Sequence, residues 1–275
     1  QQAAGYQSGI APQPDPPSLR GATARFALPF IPAASCRVFR RRRIKSNHRG
    51  KMDLFAISSR DQQHALLELL KEMISIFWGP DLQKCTEILQ KPFLCSIDKL
   101  PAQADFWNFE TLTEIKSVVN RFTSAEALFH HLEKAYVRLF ISDKKGVTAP
   151  LYASCYANKK SGEKALLMGE PAIDMKSRFK SKGLSLSNEL HEPPDHISIE
   201  LEYLYFLLSK GWSGNDEDLI SEASTFAAEV MLPWISEFQA RLAVEKECRF
   251  YPLMASILAA ILEIIAGSNR NFENG

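Results

Sequence analysis

The sequence predicts an all-α protein built as a single helical bundle. Apolar residues recur at spacings of three and four through most of the chain, few windows alternate with period two, and no Asn-Gly or Asp-Gly pair joins two candidate strands. With 45% hydrophobic and 24% charged residues over 275 positions, the chain has enough apolar surface for a substantial core, which excludes disorder throughout.

The helices read off in order. Ser58-x-x-Asp61 has capping-box form and opens a run carrying Leu66, Leu70, Met73, Ile74, Phe77 and Trp78, stopped by Gly79-Pro80. A short helix follows Asp81 and ends before Pro92, and another covers Phe109 to Val119. Thr123-x-x-Glu126 is a second capping box, leading a helix to about Phe140. Pro171 suits the first turn of the next helix and Gly183 its termination. Asp195 caps a helix that runs to Lys210 and closes at Gly211. Asp216 to Met231 is helical, and Pro233 either kinks it or starts a helix running to about Glu247. The last helix, Phe250 to Ala266, is interrupted by Ser256 and Glu263 and ends at Gly267. It falls short of the ~20 mostly apolar residues that cross a bilayer, so a core helix and no stable membrane insertion are expected.

Charge divides the chain unevenly. Residues 1–51 hold ten Lys+Arg against one acid, Asp15, a net of +9, whereas 52–275 carry 23 basic and 31 acidic residues, a net of −8. The first segment also contains six of the fifteen prolines, and no apolar period survives that density. It reads as a disordered basic tail. Because the first methionine is Met52, it also reads as upstream or artificially added sequence ahead of a domain at 52–275. The run Arg40-Arg41-Arg42-Arg43 has the charge to meet nucleic acid, but the acidic body argues against that partner. The five cysteines, Cys36, Cys85, Cys95, Cys155 and Cys248, are odd in number and never form Cys-x-x-Cys, as expected of buried thiols in a reducing, intracellular compartment.

Two helices carry more than ordinary core patterning. In 124–140, Leu128, Leu132, Ala135 and Leu139 form one apolar stripe, with Phe129, Tyr136 and Phe140 as an aromatic stripe beside it. In 195–210, Ile197, Leu201, Leu204 and Leu208 form one stripe and Ile199, Tyr203, Phe206 and Leu207 another, so that helix is central. Glu200 and Glu202 interrupt it and need partners or water. Ahead of it, Glu192-Pro193-Pro194-Asp195-His196 fixes an extended approach, and a His at the positive end of a helix is favoured in its neutral form.

The string from Glu192 to Leu204 resembles the signature of the redox-enzyme maturation chaperones of the TorD/DmsD type, Glu-x-Pro-Asp-His followed by Glu-Leu-Glu and an aromatic. Tyr136-x-x-Leu139-Phe140, the loop Ala149-Pro150-Leu151-Tyr152-Ala153-Ser154-Cys155-Tyr156 and Pro233-Trp234-Ile235-x-x-Phe238 resemble further family segments, in register across 52–275. Ala153 departs from a common Glu, Tyr136 from Trp, and Tyr203-Leu204 from Phe-Met. The resemblance implies an all-helical bundle of that type and a cytoplasmic chaperone without enzymatic turnover. Such a protein binds the twin-arginine signal peptide of a molybdoenzyme catalytic subunit and holds the apo form for molybdopterin cofactor insertion. It implies a signal-peptide site with Tyr136, Leu139, Phe140 and Tyr152 in its apolar part and Glu192, Asp195, His196 and Glu200 in its polar part. For each residue, aromatic packing, loop fixing or helix capping is the competing reading.

An enzyme is the main rival, a metal-dependent hydrolase built on Glu192, Asp195 and His196, although these lack the i, i+4 ligand spacing of helical metal sites. P-loop, nucleophile-elbow and Rossmann motifs are absent from the sequence. No tightly bound cofactor is expected; weak binding of a guanine nucleotide or of the molybdopterin cofactor remains open, as does a monomer or a domain-swapped dimer.

Overall fold

The computed structural model describes residues 57, 59–90, 94–100, 109–142, 146–157, 167–187 and 190–267. The basic segment 1–51, with Cys36 and Met52, lies outside them, as does Ser58. Helix α1 (Arg60–Phe77) is followed by α2 (Leu82–Gln90), a short 3-10 turn at Cys95–Lys99, α3 (Phe109–Val119) and α4 (Ala125–Tyr136). Then come α5 (Glu170–Ser181), α6 (Ile197–Gly214), α7 (Glu217–Thr225), α8 (Leu232–Leu242) and α9 (Phe250–Gly267). Among the described residues strand pairing is limited to one antiparallel bridge between Tyr152 and His196.

The caps of α1 and α4 sit one residue later than the sequence spacing suggests, and only that of α1 is a capping box. Ser59 caps α1, accepting the Gln62 backbone N–H at 3.2 Å while Gln62 Oε1 accepts the Ser59 N–H. Ser124, not Thr123, caps α4 by accepting from Ala127 N. Adjacent Ser and Thr residues can each start a helix, and the backbone decides between them by which one stays extended. Asp195 is likewise not the cap of α6: His196 is, with its Nδ1 accepting the Ser198 N–H at 3.2 Å. Nor does α6 end at Gly211. It runs on to Gly214, with Asn215 in the left-handed region at φ 52° as its C-cap. Gly211 is instead where α7 approaches, since a Cβ there would stand 2.7 Å from Ile220 Cγ1.

Two helices change pitch. Val137–Ile141 continues α4 as a π-helical turn, and Phe226–Met231 joins α7 to α8 in the same way, so the helices expected to Phe140 and Met231 each end in a wider coil. Pro233 lies in the first turn of α8, where its missing N–H costs nothing, and α8 stops at Leu242, before Glu247.

Helix α6 is the axis of the bundle. Both stripes are buried except Phe206, which is half-buried, and α1 packs along α6 with Ser198 Oγ donating to the Ile74 carbonyl. Behind them α9 contributes fourteen buried residues from Phe250 to Ile265. It is long and apolar enough to cross a membrane, but 83% of it is buried inside the bundle, as a core helix requires. An aromatic cluster of Tyr136, Phe140, Phe238 and Tyr251 fastens α4, α8 and α9 together, with the Tyr251 hydroxyl on the Leu132 carbonyl. Cys85 and Cys248 are buried free thiols, Cys95 is exposed, and Cys155 is half-buried.

Candidate functional site

Two loops meet over the N-terminus of α6. Residues 149–156 run antiparallel to 192–197, joined by Ala153 N–H to Asp195 O at 3.0 Å and Ile197 N–H to Leu151 O at 2.8 Å. The approach is not extended throughout, as the two prolines suggest: Pro194 and Asp195 form a turn closed by the His196 N–H on the Pro193 carbonyl at 3.0 Å. The Ala149 N–H donates to the Leu139 carbonyl, tying the first loop to the π-turn after α4.

Asp195 is fully buried, and its Oδ2 accepts the Ser154 backbone N–H at 2.8 Å. Below it on α6, Glu200 is also fully buried, with Oε2 accepting the Trp234 indole N–H at 3.0 Å. Burial pushes the Glu200 carboxyl well above the usual carboxylate range, against the Trp234 bond, and the Asp195 charge adds to it. Burial thus favours the protonated form of Glu200. Ser154 Oγ, Asp195 Oδ1 and Glu200 Oε1 are buried without a protein hydrogen-bond partner. Unmatched polarity of this kind, under a loop junction, is costly to retain.

His196 is 2% exposed and lies between two rings. It stacks on Trp78 at 4.7 Å and 15°, and meets Tyr152 edge-on at 5.3 Å and 69°. Burial lowers its pKa to about 3, so the imidazole is neutral and its Nδ1 is free to accept the cap bond, with the proton on Nε2. The sequence argument for a neutral His is right in its result, although burial rather than the helix end supplies the cause.

Trp78, at the C-cap of α1, is the residue that sequence reasoning missed, having counted only as part of an apolar stripe. Its indole N–H donates to Glu202 Oε1 at 3.2 Å, and burial raises the Glu202 carboxyl to about 7. Its neighbour Gly79 is left-handed at φ 108° and presses on the Tyr136 ring, where a Cβ would lie 3.2 Å from Cζ. Tyr136 in turn donates to the Phe77 carbonyl at 3.1 Å.

The eight candidate residues thus fall into two groups. Tyr136, Leu139, Phe140, Asp195, His196 and Glu200 are buried and hold the junction from within. Tyr152 and Glu192 are partly exposed and form its outer edge, the Tyr152 hydroxyl donating to Glu192 Oε2 at 2.6 Å. Glu192, Asp195 and His196 do not form a metal centre: no group of three His, Cys, Asp or Glu that could hold an ion occurs among the described residues.

The family model described as nitrate reductase delta subunit matches residues 108–240. Chaperone protein TorD of Photobacterium profundum is 27% identical over 161 residues, covering 57% of this chain and 72% of that protein. TorD of Vibrio vulnificus is 30% identical over 52% of this chain and 66% of its own length. The chain belongs to the TorD family of redox-enzyme maturation chaperones. TorD of Aliivibrio fischeri is 28% identical over 178 residues, 63% of this chain and 78% of that one. An Archaeoglobus fulgidus crystal structure, provisionally described as a redox enzyme maturation protein, matches with 24% identity and a TM-score of 0.42, over 80% of this chain and 99% of that one. The matched segment ends within α8, and so contains the loop junction, α6 and Trp234, but not the Trp78 that completes the ring stack.

Proposed function

We propose that this TorD-family chain is a cytoplasmic, non-enzymatic chaperone that binds the twin-arginine signal peptide of a molybdoenzyme catalytic subunit. It holds the apo form until the molybdopterin cofactor is inserted. The observation that carries the reading is the junction of Tyr152 and Glu192 above buried Asp195, His196 and Glu200, in a chain of this family. A leader with adjacent arginines and an apolar run needs carboxylates for the guanidinium groups and aromatic surface for the rest. Glu192 and Tyr152 offer both at the edge of the junction. The six buried residues set the shape of that edge, and they meet a peptide directly only when the loops part.

The physics favours peptide over catalysis. His196 is buried with Nδ1 engaged as a cap, and Glu200 is buried and bonded to the Trp234 indole, so neither is placed to act on a substrate in the junction as it stands. No observation supports the metal-hydrolase alternative.

The test is calorimetry of the full chain with a leader peptide carrying adjacent arginines. Glu192→Gln is expected to weaken binding about tenfold or more, the loss of one charge-assisted bond, and Tyr152→Phe to weaken it less by releasing Glu192 from its partner. A leader peptide that gives no heat and no competition at any concentration would falsify the reading.

A further inference from the structure

The strip of chain that covers Asp195 is lightly held. From 149 to 155 its buried side chains are Ala149, Leu151, Ala153 and Ser154, a single leucine among small groups. The strip is bonded within itself, Cys155 N–H to the Tyr152 carbonyl at 3.0 Å, Tyr156 N–H to the Ala153 carbonyl at 2.9 Å, and the Tyr156 hydroxyl to the Pro150 carbonyl at 2.8 Å. The bonds that join it to 192–197 are those of the Ala153, Ser154 and Ile197 N–H groups and of the Tyr152 hydroxyl. Its two ends are fixed elsewhere. Ala149 hangs on the Leu139 carbonyl, and Tyr156 packs against Trp234 and Phe238 with the Arg241 guanidinium 4.2 Å from its ring centre.

The same junction holds three buried polar atoms without a protein partner: Ser154 Oγ from the strip, Asp195 Oδ1 from the facing loop and Glu200 Oε1 from α6. Seating the strip closes all three off, and lifting it gives each of them water. We infer that residues 150–155 lift from 192–197 as one unit while the helices stay folded, so that the junction opens onto Asp195, His196 and Glu200. The movement needs no ligand; its use in admitting a peptide rests on the reading proposed above. Segments with few buried apolar contacts are the ones that open at low cost, and here the unmatched atoms lower that cost further. The Ala149 bond and the Tyr156 ring stack are the fixed ends about which the strip turns.

Glu200 ties the movement to pH. With the strip seated, burial first and the Asp195 charge after it hold the Glu200 carboxyl well above its usual range, against the bond from Trp234 on α8. From α5, Arg178 and Asp174 act on it in opposite directions, and the two pair with each other at 2.6 Å. His196, next to Asp195, stays neutral with a pKa of about 3. Opening hydrates the Glu200 carboxyl and returns it toward its ordinary 4.5, so the seated form binds the extra proton. A group raised in the seated form favours closure fully below 4.5 and loses that contribution as pH rises, by up to about tenfold in the opening constant per pH unit.

The experiment is amide hydrogen exchange of the full chain, followed by NMR from about pH 5 to 7, with each rate divided by its intrinsic value to give an opening constant. Ala153, Ser154 and Ile197 are expected to share one opening constant, about tenfold or more above that of the α9 core amides, and to rise together with pH. Glu200→Gln should abolish the pH dependence. Ser154→Ala, which deletes an unmatched buried hydroxyl, should lower the shared constant about fivefold or more. Exchange of the three amides at the α9 level, or with unrelated constants, overturns the inference, because the strip then opens only with the whole protein or not as a unit. A shared local opening without a pH slope overturns the part given to Glu200. Should Glu200→Gln fail to fold, the wild-type pH series and Ser154→Ala decide. No peptide enters the measurement, so failure here leaves the leader-peptide reading standing, and a leader that does not bind leaves this one.

Discussion

The Asp195 carboxylate accepts the backbone N–H of Ser154 at 2.8 Å, deep enough that neither residue is more than 2% exposed. This one bond, with the flanking pair from Ala153 to Asp195 and Ile197 to Leu151, makes two irregular loops into a fixed edge over α6. The aspartate acts as a staple between loops rather than as the helix cap that its position before α6 suggests.

Asp195→Ala should therefore cost roughly 1.5–3 kcal/mol, the range for a buried hydrogen bond to a charged group, and more than the ~1 kcal/mol of a lost cap. Asp195→Asn keeps an oxygen for the Ser154 N–H and should lose less. Urea denaturation reads both, and proteolysis within 146–157 should speed up in the Ala variant. A loss below about 0.5 kcal/mol in the Ala variant would mean that the backbone bonds alone hold the loops.

His196 should remain a neutral Nε2–H tautomer down to pH 5, which nitrogen NMR of the ring can observe directly. Its folded pKa of about 3 lies below the ordinary 6.5, so its contribution to stability is complete above pH 6.5 and is lost as pH falls from 6.5 through 3. His196→Ala should cost about 2 kcal/mol, combining a lost cap with a lost ring stack. His196→Asn should restore the cap part only.

Glu72 and Glu202 work in the opposite direction. Each carboxyl is raised from 4.5 to about 7 by burial, so the stability they contribute is full below pH 4.5 and is lost as pH rises through 7. Glu72→Gln and Glu202→Gln should melt close to the wild type at pH 4.5 and above it at pH 8, by up to about 3 kcal/mol for each group. Parallel melting curves at both pH values would refute this account of the two acids.

Gly211→Ala tests the α6–α7 contact. Alanine is the better helix former by about 1 kcal/mol, yet its Cβ would meet Ile220 Cγ1 at 2.7 Å and the Asp216 carbonyl oxygen at 3.3 Å. Overpacking of that order costs about 1–3 kcal/mol, so a net loss of stability is expected on denaturation. A gain would show that α7 moves aside freely.

Much of this fold could be read from periodicity, because an apolar stripe is a property of one helix by itself. The bounds of α3 match the sequence reading, and those of α2 and α9 fall within a residue of it. Identities at helix starts were less legible: Asp195 and His196 are both capable caps, and only the pairing with 149–154 shows that Asp195 is engaged elsewhere. The pitch changes at Val137–Ile141 and Phe226–Met231 leave the apolar pattern almost intact and so escape it. Trp78 was hidden for another reason: the apolar pattern of α1 already accounted for it, and its contact is with His196, far along the chain.

The position of Trp78 gives the chain a built-in optical gauge. Its indole lies on His196 and donates to Glu202. Its emission responds to the polarity and ring contacts around it, so parting of the loops should change the colour or brightness of its fluorescence. With the other three tryptophans, Trp107, Trp212 and Trp234, replaced by Phe, a stopped-flow trace on this single reporter would time ligand arrival without any attached dye.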